Sequence, residues 1–137
     1  LNLCGNEIGP EGARALASSA AMAGLCQLNV GCAGLGDEGA RALPASPHLR
    51  QLTTLIAYAN DITDKGDIAL ANSPVLARVR KLLLGGNLTV TDAAARALAK
   101  SPYLTRITRL ELSFGELSDN GRRLLRDRFG ESIRGQS

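Results

Sequence analysis

A Leu-x-apolar triplet recurs along the chain at nearly constant spacing, beginning at Leu1, Leu28, Leu55, Leu82 and Leu110, so the intervals are 27, 27, 27 and 28 residues. A unit that short cannot enclose a core of its own, and successive units must stack to bury their apolar faces. Aligned on those starts, the second and third segments read LNVGCAGLGDEGARALPASPHLRQLTT and LIAYANDITDKGDIALANSPVLARVRK. The first is LNLCGNEIGPEGARALASSAAMAGLCQ. The fourth, LLLGGNLTVTDAAARALAKSPYLTRITR, carries its extra residue near Thr89, and the fifth starts as LELSFGELSDNGRRLL and then departs.

Each unit has two halves of different period. Leu25, Leu28 and Val30 alternate, as do Leu52, Leu55 and Ala57, Val79, Leu82 and Leu84, and Ile107, Leu110 and Leu112. A period of two is an extended strand. After a turn, a stretch such as Asp37 to Ala45 carries helical spacing through Ala40 and Leu43. Its start signals recur in register: Gly9, Gly36, Thr63, Thr91 and Ser118 fall at the N-cap slot, followed by Pro10, Asp37, Asp64, Asp92 and Asp119. A capping residue and then proline or an acid are what a helix N-terminus favours. The helices are predicted to stop at Ser46-Pro47, Ser73-Pro74 and Ser101-Pro102, since the residue before proline leaves the helical region. Leu49, Leu76 and Leu104 then lead back to the next strand.

This organisation predicts an α/β solenoid of about five repeats. Parallel strands about 4.8 Å apart line one side and helices about 10 Å thick the other, so the stack bends into an arc with the sheet on its concave face. The 137 residues form a single domain in this reading, divided as 1–27, 28–54, 55–81, 82–109 and 110–137, the last closed by a helix carrying Phe129. The start at Leu1 rather than Met suggests a piece of a longer protein. Composition has the same cause: 23 Leu and 20 Ala stand against four aromatic residues, because thin repeated slots have no room for large rings.

The pattern LxxLxLxxNxLxxxG is carried by Leu52, Leu55, Asn60, Ile62 and Gly66, with Ala57 in the third Leu slot. It resembles the leucine-rich-repeat family, and the helical half with 27 to 28 residues per unit is similar to the ribonuclease-inhibitor-like class, which includes Ran GTPase-activating proteins and NOD-like receptors. The stretch GDEGARALxxSPxL and the closing LRDRFG also look similar to short repeat arrays of large bacterial proteins. The resemblance implies protein binding and, through the Ran-activating group, a small GTPase as one kind of partner. The Asn slot holds Asn6, Asn60 and Asn87 but Ala33 and Gly115 in repeats two and five, so looser turns are predicted there.

The remaining chemistry is sparse. A formal charge of +3 with few aromatics is a poor nucleic-acid footprint, and no apolar run reaches the roughly 18 residues of a membrane span. Cys4, Cys26 and Cys32 are odd in number and lack CxxC spacing, which reads as reduced thiols in a cytoplasmic protein. Cys4 and Cys32 occupy adjacent repeats and can approach, though free cysteine more often serves as a small apolar filler. His48 is the only histidine and reads as an exposed helix-end residue. The Asp column lies on successive helices about 10 Å apart, too far for one cation, and reads as cap residues that also pair Asp37 with Arg41, Asp92 with Arg96 and Asp119 with Arg123. Arg122, Arg123, Arg126, Arg128 and Arg134 read as the polar surface of a terminal cap. Phosphate loops, GxSxG elbows and HExxH pairs do not occur, so no catalysis, cofactor or metal is expected.

Outward strand positions carry the functional expectation. They are Asn2 and Cys4; Gln27, Asn29 and Gly31; Thr54, Ile56 and Tyr58; Lys81, Leu83 and Gly85; and Arg109, Glu111 and Ser113. Ile56, Tyr58 and Leu83 make an apolar and aromatic centre flanked by Lys81, Arg109 and Glu111, the composition of a protein-binding patch. The predicted site is therefore Gln27, Asn29, Thr54, Ile56, Tyr58, Lys81, Leu83, Arg109 and Glu111, acting in non-catalytic protein binding. Regulation of a small GTPase and a spacer role in a larger protein are the alternatives.

Overall fold

The computed structural model describes residues 1–88 and 90–136; the extra residue of repeat four, placed near Thr89 by the spacing, lies outside them. Strands β1 (Gln27–Asn29), β2 (Thr54–Ile56), β3 (Lys81–Leu83), β4 (Arg109–Ser113) and β5 (Ile133–Gln136) form one parallel sheet in sequence order. Between them run helices α2 (Gly36–Ala42), α3 (Asp64–Ala71), α4 (Asp92–Lys100) and α5 (Asp119–Phe129), and α1 (Gly9–Ser18) precedes β1. Residues near Leu1 contribute a single bridge, Asn2 to Asn29. The register pairs Leu28 with Leu55, Leu55 with Leu82 and Leu82 with Leu110. This is the alternating strand and helix solenoid that the leucine spacing predicts.

The core is the inner side of that stack. Leu28, Leu55, Leu82 and Leu110 are buried, as are Val30, Ala57, Leu84 and Leu112 two residues on. Leu70, Leu98 and Leu125 meet them from the helices, and Leu49, Leu76 and Leu104 from the return segments. Each fully buried leucine contributes roughly 1.5–3 kcal/mol.

Three polar columns join one repeat to the next. Asn60 Oδ1 accepts the N–H groups of Ala33 and Leu35 at 2.9 and 3.1 Å, and its Nδ2 donates to the carbonyls of Val30 and Tyr58. Asn87 does the same one repeat later, accepting from Asn60 and Ile62 and donating to Ala57 and Leu84. The asparagine thus serves the turn before its own. Ala33 in repeat two does not loosen that turn, as the sequence suggested, because Asn60 holds it; the missing amide belongs to the turn of repeat one.

The acids after the caps form the second column. Asp37 accepts from Thr63 N at 2.8 Å, Thr63 Oγ1 at 2.7 Å and Gly66 N at 3.1 Å. Asp64 accepts from the N–H and hydroxyl of Thr91, and Asp92 from those of Ser118. Thr63, Thr91 and Ser118 also cap their own helices by accepting from Lys65, Ala93 and Gly121. The predicted ion pairs are replaced by these links: Arg41 Nε donates to the main-chain carbonyl of Asp37, and Arg123 to Asn120. Burial works against ionised Asp37, yet the bonds from Thr63 and Gly66 and the charge of Arg41 outweigh it and hold its carboxyl below the usual range. The Ser118 bonds lower Asp92 likewise. At Gly9 and Gly36, by contrast, helices begin at left-handed residues with φ of +63° and +56° and no side-chain cap.

The third column is the serine before each proline. Ser46, Ser73 and Ser101 donate to the carbonyls of Ala17, Pro44 and Ala71 in the preceding repeat at 2.5–2.6 Å, all buried. Their hydroxyls also accept from His48, Val75 and Tyr103. The helical stretch expected over Asp37 to Ala45 divides, with α2 ending at Ala42 and a 3₁₀ turn over Leu43–Ala45, since Pro44 has no N–H to continue the α-helix.

The C-terminal end also differs from expectation. Instead of closing on α5, the chain reverses at Gly130 (φ +54°) and lays β5 along β4, pairing Leu110 with Ile133 and Glu111 with Arg134. Phe114 covers Gly135, and Arg122 lies 5.7 Å from its ring centre while donating to its carbonyl.

Candidate functional site

The residues on the outward side of the strands form two rows fixed by the register. Gln27, Thr54, Lys81 and Arg109 are successive partners, as are Asn29, Ile56, Leu83 and Glu111. Neighbours in a row stand about 4.8 Å apart. Gln27, Lys81 and Arg109 are exposed, and the others are half-buried. All eight residues predicted on these strands thus come together on one face, with Ile56 and Leu83 side by side at its centre.

The flanks differ. Toward β1, a depression of about 260 Å³ is lined by Asn2, Gln27, Asn29, Thr54 and Ile56. Toward β5 the face is charged: Arg109 Nε reaches Glu111 Oε1 at 2.8 Å, and Arg134 takes the next place in the row. Sequence reasoning placed Arg134 in the cap, because the last segment lacks the leucine triplet that marks the other strands.

Tyr58, the ninth predicted residue, lies across the neighbouring strand. A Cβ on Gly31 would come within 2.6 Å of its ring. Its hydroxyl reaches Cys4 Sγ at 2.8 Å. That hydrogen bond, the Cys4 charge and burial raise the phenol above its ordinary value, with a smaller contribution from Cys32. Tyr58 is therefore a flat plate over repeats one and two, not an upright anchor. Gly31 provides the room for it, a signal readable only once the register of the neighbouring strand is known.

Away from this face, Asp67 occupies the helix position that holds Ala13 in α1, Ala40 in α2 and Ala95 in α4. It is 2% exposed, and its Oδ1 has no hydrogen-bond partner among the described residues. Burial first, then the charges of Asp64 and Asp37, push its carboxyl up to about 7. His48 is half-buried rather than exposed. Cys4, Cys26 and Cys32 are free thiols. Among the described residues there is no group of three His, Cys, Asp or Glu side chains that can hold a metal ion, and no helix is long and apolar enough to cross a membrane.

Parallel strands, returning helices, an asparagine ladder and an open sheet face define a repeat solenoid of the leucine-rich kind. The family model described as Leucine Rich repeat matches residues 1–17 and 25–43, and the same unit continues through the later strands and helices. The matched residues and the repeated strand-helix units together support a leucine-rich-repeat protein. No curated protein matches it. Leucine-rich-repeat domains generally mediate protein–protein interaction and are typically non-catalytic.

Proposed function

We propose that this chain binds a protein partner through the outward face of its sheet, centred on Ile56 and Leu83. The observation that carries the reading is their pairing in register on a face bounded by polar Asn29 and Thr54 on one side and by Lys81, Arg109 and Glu111 on the other. An apolar pair inside a polar rim is the arrangement of an interface centre. The core leaves these two side chains free, since Leu55 and Leu82 fill the inner slots beside them.

Quantitative affinity capture with the immobilised chain tests this. The double variant Ile56→Ser, Leu83→Ser keeps the wild-type circular dichroism and loses about 10-fold or more of the captured partner's affinity, about 1.4 kcal/mol. A helix-face variant, Arg14→Gln with Arg96→Gln, retains it. Unchanged affinity in the sheet variant refutes the reading.

A further inference from the structure

The two long edges of the solenoid carry opposite charge. At the edge where strands start, residues 46–54, 73–81 and 101–109 hold Arg50, Arg78, Arg80, Lys81, Arg106 and Arg109, all exposed, and neither Asp nor Glu. At the edge where strands end and helices begin, ten of the 13 acids are found, Asp37 and Asp64 among them. Helix dipoles explain seven of these acids, which lie in first turns. They do not explain the cations of repeats three and four: Arg78, Arg80, Lys81, Arg106 and Arg109 stand five to nine residues beyond the caps at Asn72 and Ser101, whereas the dipole's influence fades within the last turn.

The start segments are tied to one another, so the main chain that carries these cations is held in place. Arg80 N and Lys81 N donate to Thr53 O, and Thr108 N and Arg109 N donate to Arg80 O, at 2.8–3.1 Å. Of the six cations only Arg109 has an acidic partner among the described residues, Glu111. Like charges held side by side repel, and a carboxylate-bearing ligand relieves that repulsion. Lys81 and Arg109 also belong to the outward row beside Ile56 and Leu83, so the basic edge and the apolar pair form one continuous surface.

We propose that this edge of repeats three and four docks an acidic protein segment whose carboxylates meet Arg78, Lys81 and Arg106 while an apolar side chain seats on Ile56 and Leu83. The inference rests on the sheet face being the protein-binding surface. Nucleic acid is the poorer match, because none of the four aromatic residues is fully exposed to stack bases.

The test is fluorescence anisotropy with a labelled glutamate-rich peptide carrying one leucine. The variant Arg78→Glu, Lys81→Glu, Arg106→Glu weakens binding about 10-fold or more, and raising salt from about 50 to 200 mM weakens wild-type binding as well. The variant Lys65→Glu, Arg96→Glu, Arg123→Glu makes the same change in net charge at exposed helical positions and leaves affinity within about threefold. Equal loss in both triple variants, with folding retained, leaves only net charge and overturns the proposal. So does a single-stranded oligonucleotide that binds as tightly as the peptide. If the edge variant binds the peptide like wild type while Ile56→Ser, Leu83→Ser abolishes partner capture, the acidic-segment inference fails and the sheet-face reading stands; the reverse result removes the sheet-face reading.

Discussion

Asp67 sits where three other helices carry Ala13, Ala40 and Ala95, so Asp67→Ala puts into the slot the residue its neighbours already use. The expected effect is a pH-dependent gain in stability. With the carboxyl raised from 3.8 to about 7, the folded protein keeps a proton that the unfolded chain gives up. Below about pH 3.8 both states are protonated and ionisation costs nothing. As pH rises toward 7, stability falls by about 1.4 kcal/mol per unit, reaching a total loss of about 4 kcal/mol that persists at higher pH. Asp37 and Asp92 have the opposite sign: their pKa values are lowered, so their contribution is present above the unfolded value and is lost only as the solution becomes more acidic. The window from about pH 5 to 8 therefore isolates Asp67.

Urea unfolding followed by circular dichroism at several pH values in that window measures this. The stability gap between Asp67→Ala and wild type grows from about 2 kcal/mol at about pH 5 to about 4 kcal/mol at about pH 8. Asp67→Asn separates charge from packing, because its amide keeps the shape of the acid without its ionisation; its gap from Asp67→Ala stays flat. Parallel wild-type and Asp67→Ala curves across the window refute the reasoning, since a packing difference alone cannot follow pH.

The inter-repeat columns give two further expectations. Asn60→Ala removes the partners of Ala33 N, Leu35 N and the Val30 carbonyl and costs about 2–4 kcal/mol; denaturation measures it, with lost hydrogen-exchange protection at Ala33 and Leu35, and a cost below about 1 kcal/mol contradicts the ladder. Ser73→Ala removes the buried bond to Pro44 O and costs about 1 kcal/mol, whereas Ser18→Ala at an exposed position stays within about 0.5 kcal/mol; equal unfolding midpoints for the two would contradict the serine column.

The parts legible in the sequence were those with a period of their own. Leu28, Leu55, Leu82 and Leu110 fix strand register because a shift of one residue would put the whole row on the wrong face. The outward rows follow from the same alternation, so the sheet-face residues could be placed without coordinates. The polar columns were harder because each member already had a sufficient local explanation. Thr63 reads as a cap and Ser73 as the residue before a proline, and both are so; nothing local says that Asp37 reaches one and that the other reaches back to Pro44. A signal was present in the joint departures at the first interface, where Pro10 replaces the acid and Gly36 replaces the hydroxyl together. Strand β5 was hidden for a different reason: Ile133 follows Leu110 by 23 residues, outside the 27-residue period.

These columns also explain why the two edges are unequal as binding surfaces. Acids gather where helices begin because dipoles favour them there, but Asp37, Asp64 and Asp92 are engaged in holding the next repeat, Glu38 is paired with Arg14 and Asp67 is buried. Part of the negative edge is thus occupied with the protein's own cohesion. The cations at the opposite edge have no corresponding structural duty: the main-chain amides and carbonyls beside them join the repeats, leaving most of the side chains in solvent. At one edge, then, several of the charges are engaged in joining repeats, whereas at the other five of the six cations have no acidic partner among the described residues. It follows that a ligand carrying both carboxylates and an apolar group is oriented as well as attracted. Its acids are drawn to Lys81 and Arg78, and its apolar group has Ile56 and Leu83 within reach, so reversing the order of the two on a probe peptide should weaken binding without changing its net charge.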